Sequence, residues 1–379
     1  MKIAIIGTRG IPDFYRGFEK TAQFIALGLA EKGHDVTVYS SHNHAYQEKE
    51  WKGIRLIHAY DPEYKLGGIG NFIYDYNCLK LIKNQQFDVL LQFGATSSIW
   101  SWLMPKGMLT ISNIYSLEWK RSHYGYLASK LLKLAERFAG HYSHSIVSDS
   151  HVVMQHFQTN YNKGVEVIPQ GVASFKPSRQ EILGEFALSP FGYDLYVGSL
   201  EPNGSLDMIL SGVVAGKAKR PFIVVGNCST KMGKILTDKY GNYSHIRFLG
   251  SIYNSEKLNH LRFYSNLYFY GYAGDGSTHL LLEAMAAHCL ISAYNNESNR
   301  NILGDNAFYY TNANQVTEQL TANLNKEEVY LEWINRNQQK ITEVYNWDVV
   351  LRQYLDHINF VQDLNQPLSQ PAQTYLYSR

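Results

Sequence analysis

The most chemically suggestive spacing in this chain is YAGDGSTHLLLEAMA, residues 272–286, where a glycine-rich turn runs into a helical pattern carrying Glu283. The first backbone N–H groups of a helix have no partner within it, so Gly276, Ser277 and Thr278 can hold phosphate oxygens. A carboxylate one to two turns further on, at Glu283, can then accept hydrogen bonds from a ribose diol. Asp275 precedes Glu283 by eight positions, so the pair reads acid-x7-acid with the first acid on the loop. The plainer alternative is a buried glutamate paired with a neighbour.

A second turn of the same kind opens the chain. A short apolar strand enters Gly7-Thr8-Arg9-Gly10-Ile11-Pro12, and a helical pattern follows. A guanidinium above a helix start suits a diphosphate, which makes Arg9 and Gly10 candidates for that contact. The alternative is a tight turn that needs its glycines for steric reasons. Two further loops follow strands. Ser199–Gly204 contains Glu201 and Asn203, with Glu201 placed either to cap the next helix or to touch a ligand. Asn113–Arg121 gathers Tyr115, Glu118 and Trp119 where an acceptor would be read.

Several chemistries are excluded. The first loop lacks full G-x-G-x-x-G spacing, and the second strand ends in Ser40 where a dehydrogenase wants an acid for the adenosine ribose, so NAD is disfavoured. The fourteen histidines form no ligand spacing, so no metal is expected, and no cofactor either. Neither a Walker sequence nor G-x-S-x-G is present. Cys78, Cys228 and Cys289 are widely spaced and read as buried thiols of a reducing compartment. A formal net charge of +2 leaves no nucleic-acid footprint. With no long apolar run at the start or elsewhere, a cytoplasmic protein is expected. Any membrane contact would be peripheral, at the inner face.

The elements that must position these residues alternate as strand and helix, the mark of a parallel sheet. In the first half strands are expected at Lys2–Ile6, Asp35–Tyr39, Ile54–Ala59, Val89–Gln92, Leu109–Ile114, Ser145–Ser148 and Val165–Pro169. Helices are expected near Phe18–Lys32, Gly70–Lys83, Tyr126–Ala139 and Ser150–Gln158. A loop-like connector, Ala173–Pro190, leads to a second series of the same rhythm, with strands from Asp194–Val197 to Ala307–Tyr309 and helices from Leu206–Gly212 to Asn314–Asn325. At 379 residues two domains are the default. Their expected spans are 1–172 and 173–345. A further helix is expected at 346–364, on the apolar stripe Trp347, Val350, Leu351, Tyr354, Leu355, Ile358 and Val361, and a disordered tail at 365–379. The segment from Lys120 to His141 mixes Lys130, Lys133 and Arg137 with Leu127, Leu131, Leu134 and Phe138. It reads as a surface helix with a solvated basic face or as one that lies on an anionic membrane.

Five runs, in order, carry a family resemblance: GTRGIPDFYRGFE at 7–19, NIYSLEWKR at 113–121, EPNG at 201–204, IYNSEKLNHLR at 252–262 and GYAGDGSTHLLLEAM at 271–285. Together they resemble the GT-B glycosyltransferases of family 4, and within it the bacterial branch of capsule and O-antigen rhamnosyltransferases. The resemblance implies an α/β GT-B fold: two Rossmann-like, doubly wound parallel-sheet domains facing a cleft, with a C-terminal helix crossing back. It implies donor contacts from Gly10, Glu201, Asn203, Gly276, Ser277, Thr278 and Glu283. Tyr15, Arg16, Gly17, Glu19, Tyr115 and Trp119 then fall on the acceptor side, and Arg9, Asp275 and Glu118 nearest the reaction. Its implied chemistry is metal-free retaining transfer from a nucleotide sugar, first dTDP-rhamnose and then a UDP-sugar, to a saccharide or lipid-linked acceptor. This sequence departs from the branch at Arg16, Tyr115, Ser116, Tyr272 and Ser277–His279. Those changes raise a second reading, a nucleotide-sugar-binding or scaffold protein without turnover.

Overall fold

The computed structural model describes residues 1–12, 18–120, 125–201, 205–217, 220–272, 278–322, 324, 326 and 329–365. These divide into two compact units, Met1–Ile168 with the segment from Leu351 onward, and Pro169–Val350.

In chain order the first unit holds β1 (Lys2–Ile6), α1 (Phe18–Glu31), β2 (Asp35–Ser41), β3 (Glu50–Trp51), β4 (Ile54–Ala59), α2 (Glu63–Leu66), α3 (Gly68–Ile82), β5 (Val89–Phe93), β6 (Leu109–Asn113), α4 (Tyr126–Tyr142), β7 (Ser145–Ser148), α5 (His151–Tyr161) and β8 (Val165–Val167). The strands form one sheet in the order β3-β4-β2-β1-β5-β6-β7-β8, parallel apart from the β3–β4 pair. Ile3, Ile5, Val38, Leu90 and Leu91 are sealed from water, as strands covered on both faces require. Gly7 shows why β1 must end in glycine. Its φ is +84°, and a Cβ there would lie 2.1 Å from the carbonyl oxygen of Phe93. The steric explanation of this turn therefore holds at Gly7, whatever else the loop does.

The second unit holds β9 (Asp194–Val197), α6 (Leu206–Gly216), β10 (Phe222–Val225), α7 (Lys231–Tyr240), β11 (Ile246–Gly250), α8 (Ser255–Phe263), β12 (Tyr268–Tyr270), α9 (Thr278–Ala286), β13 (Ile291–Tyr294), α10 (Glu297–Leu303), β14 (Phe308–Tyr310), α11 (Ala313–Thr321) and α12 (Leu331–Glu343). Its six strands are all parallel, in the order β11-β10-β9-β12-β13-β14. Polar side chains start several helices: Thr230 accepts from Gly233 N–H, Asn254 from Lys257 N–H and Asn296 from Asn299 N–H.

The last helix, α13 (Trp347–Asn365), starts in the second unit, and its residues from Leu351 belong to the first. Val350, Tyr354, Ile358 and Val361 are its buried stripe. Within the first unit Tyr354 Oη donates to Asn113 Oδ1 at 2.7 Å, and the Tyr115 and Tyr354 hydroxyls lie 3.0 Å apart.

Several sequence expectations need correction. The connector is not plain loop: Gln180–Phe186 form a short 3-10 helix that buries Ile182 and Leu183. The helix expected to reach Asn325 ends at Thr321. Helices α10 and α12 were not anticipated, because seven polar-rich residues and a sparse stripe of Leu331, Ile334 and Ile341 give little periodic signal. Of the tail expected to be disordered at 365–379, Asn365 still belongs to the last helix, and 366–379 lie outside the described residues.

Candidate active site

In parallel sheets functional loops gather at the carboxyl ends of the strands. At that edge of the first unit, after β1, Arg9 is already engaged by its own domain. Its Nη2 is 2.5 Å from Glu63 Oε2, its Nη1 is 3.7 Å from Asp61 Oδ2, and Nη2 also donates to Asn71 Oδ1. The guanidinium lies 5.3 Å from the Tyr74 ring centroid. Burial pulls its pKa down, but Asp61 and Glu63 outweigh that and leave it raised. Arg9 is thus a cation whose charge is met by carboxylates. A phosphate oxygen could reach it by displacing Glu63, whose side chain is 40% exposed.

The neighbouring candidates serve this loop. Glu19 is buried, and its Oε1 accepts from Arg9 N–H at 3.0 Å, so the structure gives it an internal task where an acceptor contact was expected. Gly10 is buried too: with φ +119°, a Cβ there would meet Ser40 Oγ at 2.4 Å. That backbone is shaped by Ser40, which gives the glycine a steric reason of its own. Below them Asp75 is buried on α3 and accepts from Thr96 Oγ1 at 2.5 Å. Burial lifts its pKa to about 7 against the opposing pull of Thr96 and Arg9.

After β6 the structure brings Tyr115, Glu118 and Trp119 around one small cavity with Gly94, Ala95 and Leu132. Its volume is about 10 Å3, room for one water and not for a sugar ring. Tyr115 is buried, and burial together with its Tyr354 partner raises its pKa well above the ordinary phenol. Its hydroxyl meets Tyr354 of α13, an internal task where an acceptor contact was expected. Trp119 is held from below. Its Nε1–H donates to Glu136 Oε2 at 2.7 Å, and Glu136 Oε1 takes His156 Nε2 at 2.7 Å and Tyr161 Oη at 2.8 Å. Lys133 Nζ lies 4.8 Å from the Trp119 ring centroid.

In the second unit β9 and β12 are sheet neighbours, so the loops that leave them lie side by side. Ser205 joins them: both its N–H and its Oγ donate to the Gly271 carbonyl, at 2.7 and 3.0 Å. Glu201 is exposed on the first loop. Thr278 opens α9, and Glu283 follows on the same helix. The Glu283 carboxylate is 15% exposed, and its Oε2 is 2.8 Å from Nη2 of Arg262, which is 1% exposed. Burial pulls the Arg262 pKa down, and Glu283 together with Tyr268 and Cys289 leaves it raised.

Tyr15, Arg16, Gly17, Asn203, Asp275, Gly276 and Ser277 lie outside the described residues. Sequence reasoning gave no role to Asp61, Glu63, Asp75, Glu136, His156 or Arg262. The available signal was a charge at an apolar position: Arg262 beside Leu258 and Leu261 on α8, Glu136 beside Ala135 and Ala139 on α4. Among the described residues no group of three or more His, Cys, Asp or Glu is arranged to hold a metal ion.

A family model described as Glycosyltransferase Family 4 matches residues 15–174, less than half of the chain. No curated protein matches. Among solved structures, a sucrose-phosphate synthase from Thermosynechococcus elongatus superposes with a TM-score of 0.78 at 13% identity, covering 96% of this chain and 99% of its own. The Anabaena protein Alr3699/HepE, in complex with UDP and glucose, superposes at 0.75 with 14% identity, over 95% of this chain and all of that one. WaaG, a glycosyltransferase involved in lipopolysaccharide biosynthesis, gives 0.71 at 16% identity, over 94% and 99%. At these identities the likeness establishes the fold, two parallel-sheet α/β domains of the GT-B glycosyltransferase type.

Proposed function

We propose that this GT-B protein is a retaining glycosyltransferase that moves a sugar from a nucleotide-sugar donor to a saccharide or lipid-linked acceptor in cell-surface polysaccharide synthesis. The observation that carries the reading is Glu283: an acceptor carboxylate inside the helix that leaves β12, beside the loop from β9. The family-model match over 15–174 supports the same class. The neighbour that holds UDP and glucose supports a UDP-sugar, and the resemblance of the five sequence runs supports dTDP-rhamnose.

On this reading Glu283 accepts from ribose hydroxyls, and Thr278 with the turn before it receives the diphosphate. The acceptor oxygen bonds to the anomeric carbon on the face from which the diphosphate departs, and a diphosphate oxygen takes the acceptor's proton. The protein contributes position and stabilisation of the developing phosphate charge, and needs no side-chain base. Within the first unit, Arg9 is assigned a phosphate contact in exchange for Glu63.

A peripheral contact with an anionic membrane belongs to the same reading. Leu127, Leu131 and Leu134, in line along α4, are exposed, and Lys130, Lys133 and Arg137 share the helix. Beside them is a recess of about 340 Å3 lined by Leu134, Arg137, Phe138 and Tyr142. Exposed leucines flanked by cations suit an interface of acyl chains and anionic headgroups. Among the described residues no helix is long and apolar enough to cross a membrane.

The test is a panel of nucleotide sugars read by thermal shift, followed by nucleoside diphosphate release with vesicles that carry lipid-linked saccharides. Stabilisation by one donor and its turnover are expected; no shift with any donor contradicts the reading. The second reading, binding without transfer, is favoured by Tyr115 being tied to Tyr354 and by the small cavity at Trp119. Tight donor binding with no turnover would select it.

A further inference from the structure

We infer that Arg262 is a positioning residue that holds the Glu283 carboxylate ionised and oriented for the hydroxyls of the nucleotide's pentose. This rests on the proposed nucleotide role of Glu283 and deepens it.

Arg262 is the largest of the fully buried side chains, at the end of α8 between Leu261 and Phe263. Its Nη1 donates to Asn259 Oδ1 at 2.9 Å, one turn back on the same helix. That bond fixes the guanidinium plane to α8, and Nη2 is left facing Glu283 Oε2 at 2.8 Å. Both Nε and Nη2 of Arg262 are buried without a hydrogen-bond partner, so the contact with Glu283 is a close ion pair. A device for stability alone is poorly served by this arrangement. A guanidinium withdrawn from water, with one ion-pairing carboxylate among the described residues and an unsatisfied N–H, is disfavoured against an apolar side chain of similar volume.

The arrangement does suit recognition. A carboxylate that must accept from sugar hydroxyls has to be charged, since a protonated one presents a donor where an acceptor is needed. A partly buried glutamate would otherwise drift toward the neutral form. The cation below it opposes that drift, and because the cation is fixed to its own helix, the carboxylate is held at one rotamer before ligand arrives. A carboxylate carries several lone-pair sites on its two oxygens, so an ion pair at Oε2 does not by itself bar a sugar hydroxyl. The exposed edge of the pair is the carboxylate, 15% against 1% for the guanidinium, so ligand meets Glu283 and Arg262 acts through it.

The test is calorimetric titration of the full chain with UDP and 3′-deoxy-UDP, and with dTDP and 3′-deoxy-dTDP, using wild type, Arg262→Met, Arg262→Lys and Glu283→Gln. Wild type is expected to prefer the hydroxyl-bearing member of the tighter pair by about tenfold, the scale of a hydrogen bond to a charged group. Arg262→Met and Glu283→Gln should bring that ratio to about one, and Arg262→Lys should restore part of it. A merely structural arginine would lower affinity for both members equally and leave the ratio intact. A wild-type ratio in folded Arg262→Met overturns the inference, and Arg262→Gln is read in the same way should Arg262→Met not fold. Wild type that binds neither nucleotide overturns the proposed function together with this inference. Wild type that binds without discriminating overturns the inference alone.

Discussion

Arg9 and Arg262 are both met by carboxylates, yet the two differ in what surrounds them. Arg9, on the loop after β1, is 22% exposed and shares Asp61, Glu63 and Asn71, so its partners can be exchanged. Arg262, beneath α9, is 1% exposed and has Glu283 as its one ion-pairing partner among the described residues. A cation at a wet edge can release a carboxylate and take a phosphate at small cost, because water screens each state. A sealed cation cannot, and its role passes to the partner it holds. Charge type on the sequence therefore does not say which arginine meets a ligand. Burial does.

The largest effect that sharpens this contrast is at Glu283. Glu283→Gln leaves the Arg262 charge buried without its carboxylate, and should lower stability by about 3–5 kcal/mol in urea unfolding. Adding Arg262→Met removes the stranded charge and should recover most of that loss. If Glu283→Gln is as stable as wild type, the buried-pair description is wrong.

Next is Glu136, which holds Trp119, His156 and Tyr161 together. Glu136→Leu leaves three partly buried donors without their acceptor and should cost about 1–3 kcal/mol, with a red shift of indole emission as Trp119 is released. Unchanged stability and emission would show that Trp119 is held by packing alone.

A smaller effect is expected from Asp75, buried near Arg9, Asp61 and Glu118. Its folded pKa is raised to about 7, so the folded chain holds this proton more tightly than the unfolded one. Its contribution is fully present below the usual carboxylate range and is lost as pH rises to about 7. Wild type should therefore lose urea resistance between pH 5 and pH 7.5, on the order of the buried-carboxyl linkage, and Asp75→Asn should lose less. Parallel profiles would contradict this.

The smallest effect is at the wet edge. Glu63→Gln should change stability by no more than about 0.5 kcal/mol, the scale of a partly exposed ion pair. It should nevertheless strengthen diphosphate binding if Arg9 exchanges carboxylate for phosphate. Weaker binding, read by calorimetry, would show that Arg9 is committed to Asp61 and Asn71.

Much of the fold was legible because each parallel strand is a short apolar run closed by a turn, and β1, β9, β10 and β12 begin within a residue of where that pattern puts them. The loops were legible for the same reason, since chain order alone assigns them to strand ends. What the charges on those loops touch was not. Glu283 and Arg262 are separated by twenty residues, and the packing of α8 against α9 brings them together. The run at 252–262 was recognised, but the charge at an apolar position of its helix, Arg262, was not read as buried. Tyr115 shows the same gap: its position in a polar, aromatic loop pointed to an acceptor, and nothing in that loop announced that its hydroxyl meets α13, arriving from the far end of the chain.

The most direct test of the central claim is amide hydrogen exchange with and without saturating nucleoside diphosphate, UDP and dTDP in turn. A nucleotide seated on Glu283 should slow exchange in α9, Thr278–Ala286, and at Ser205 and Tyr272 beside it. Nucleotide binding that leaves α9 unprotected, or protects only the loop after β1, would contradict the account.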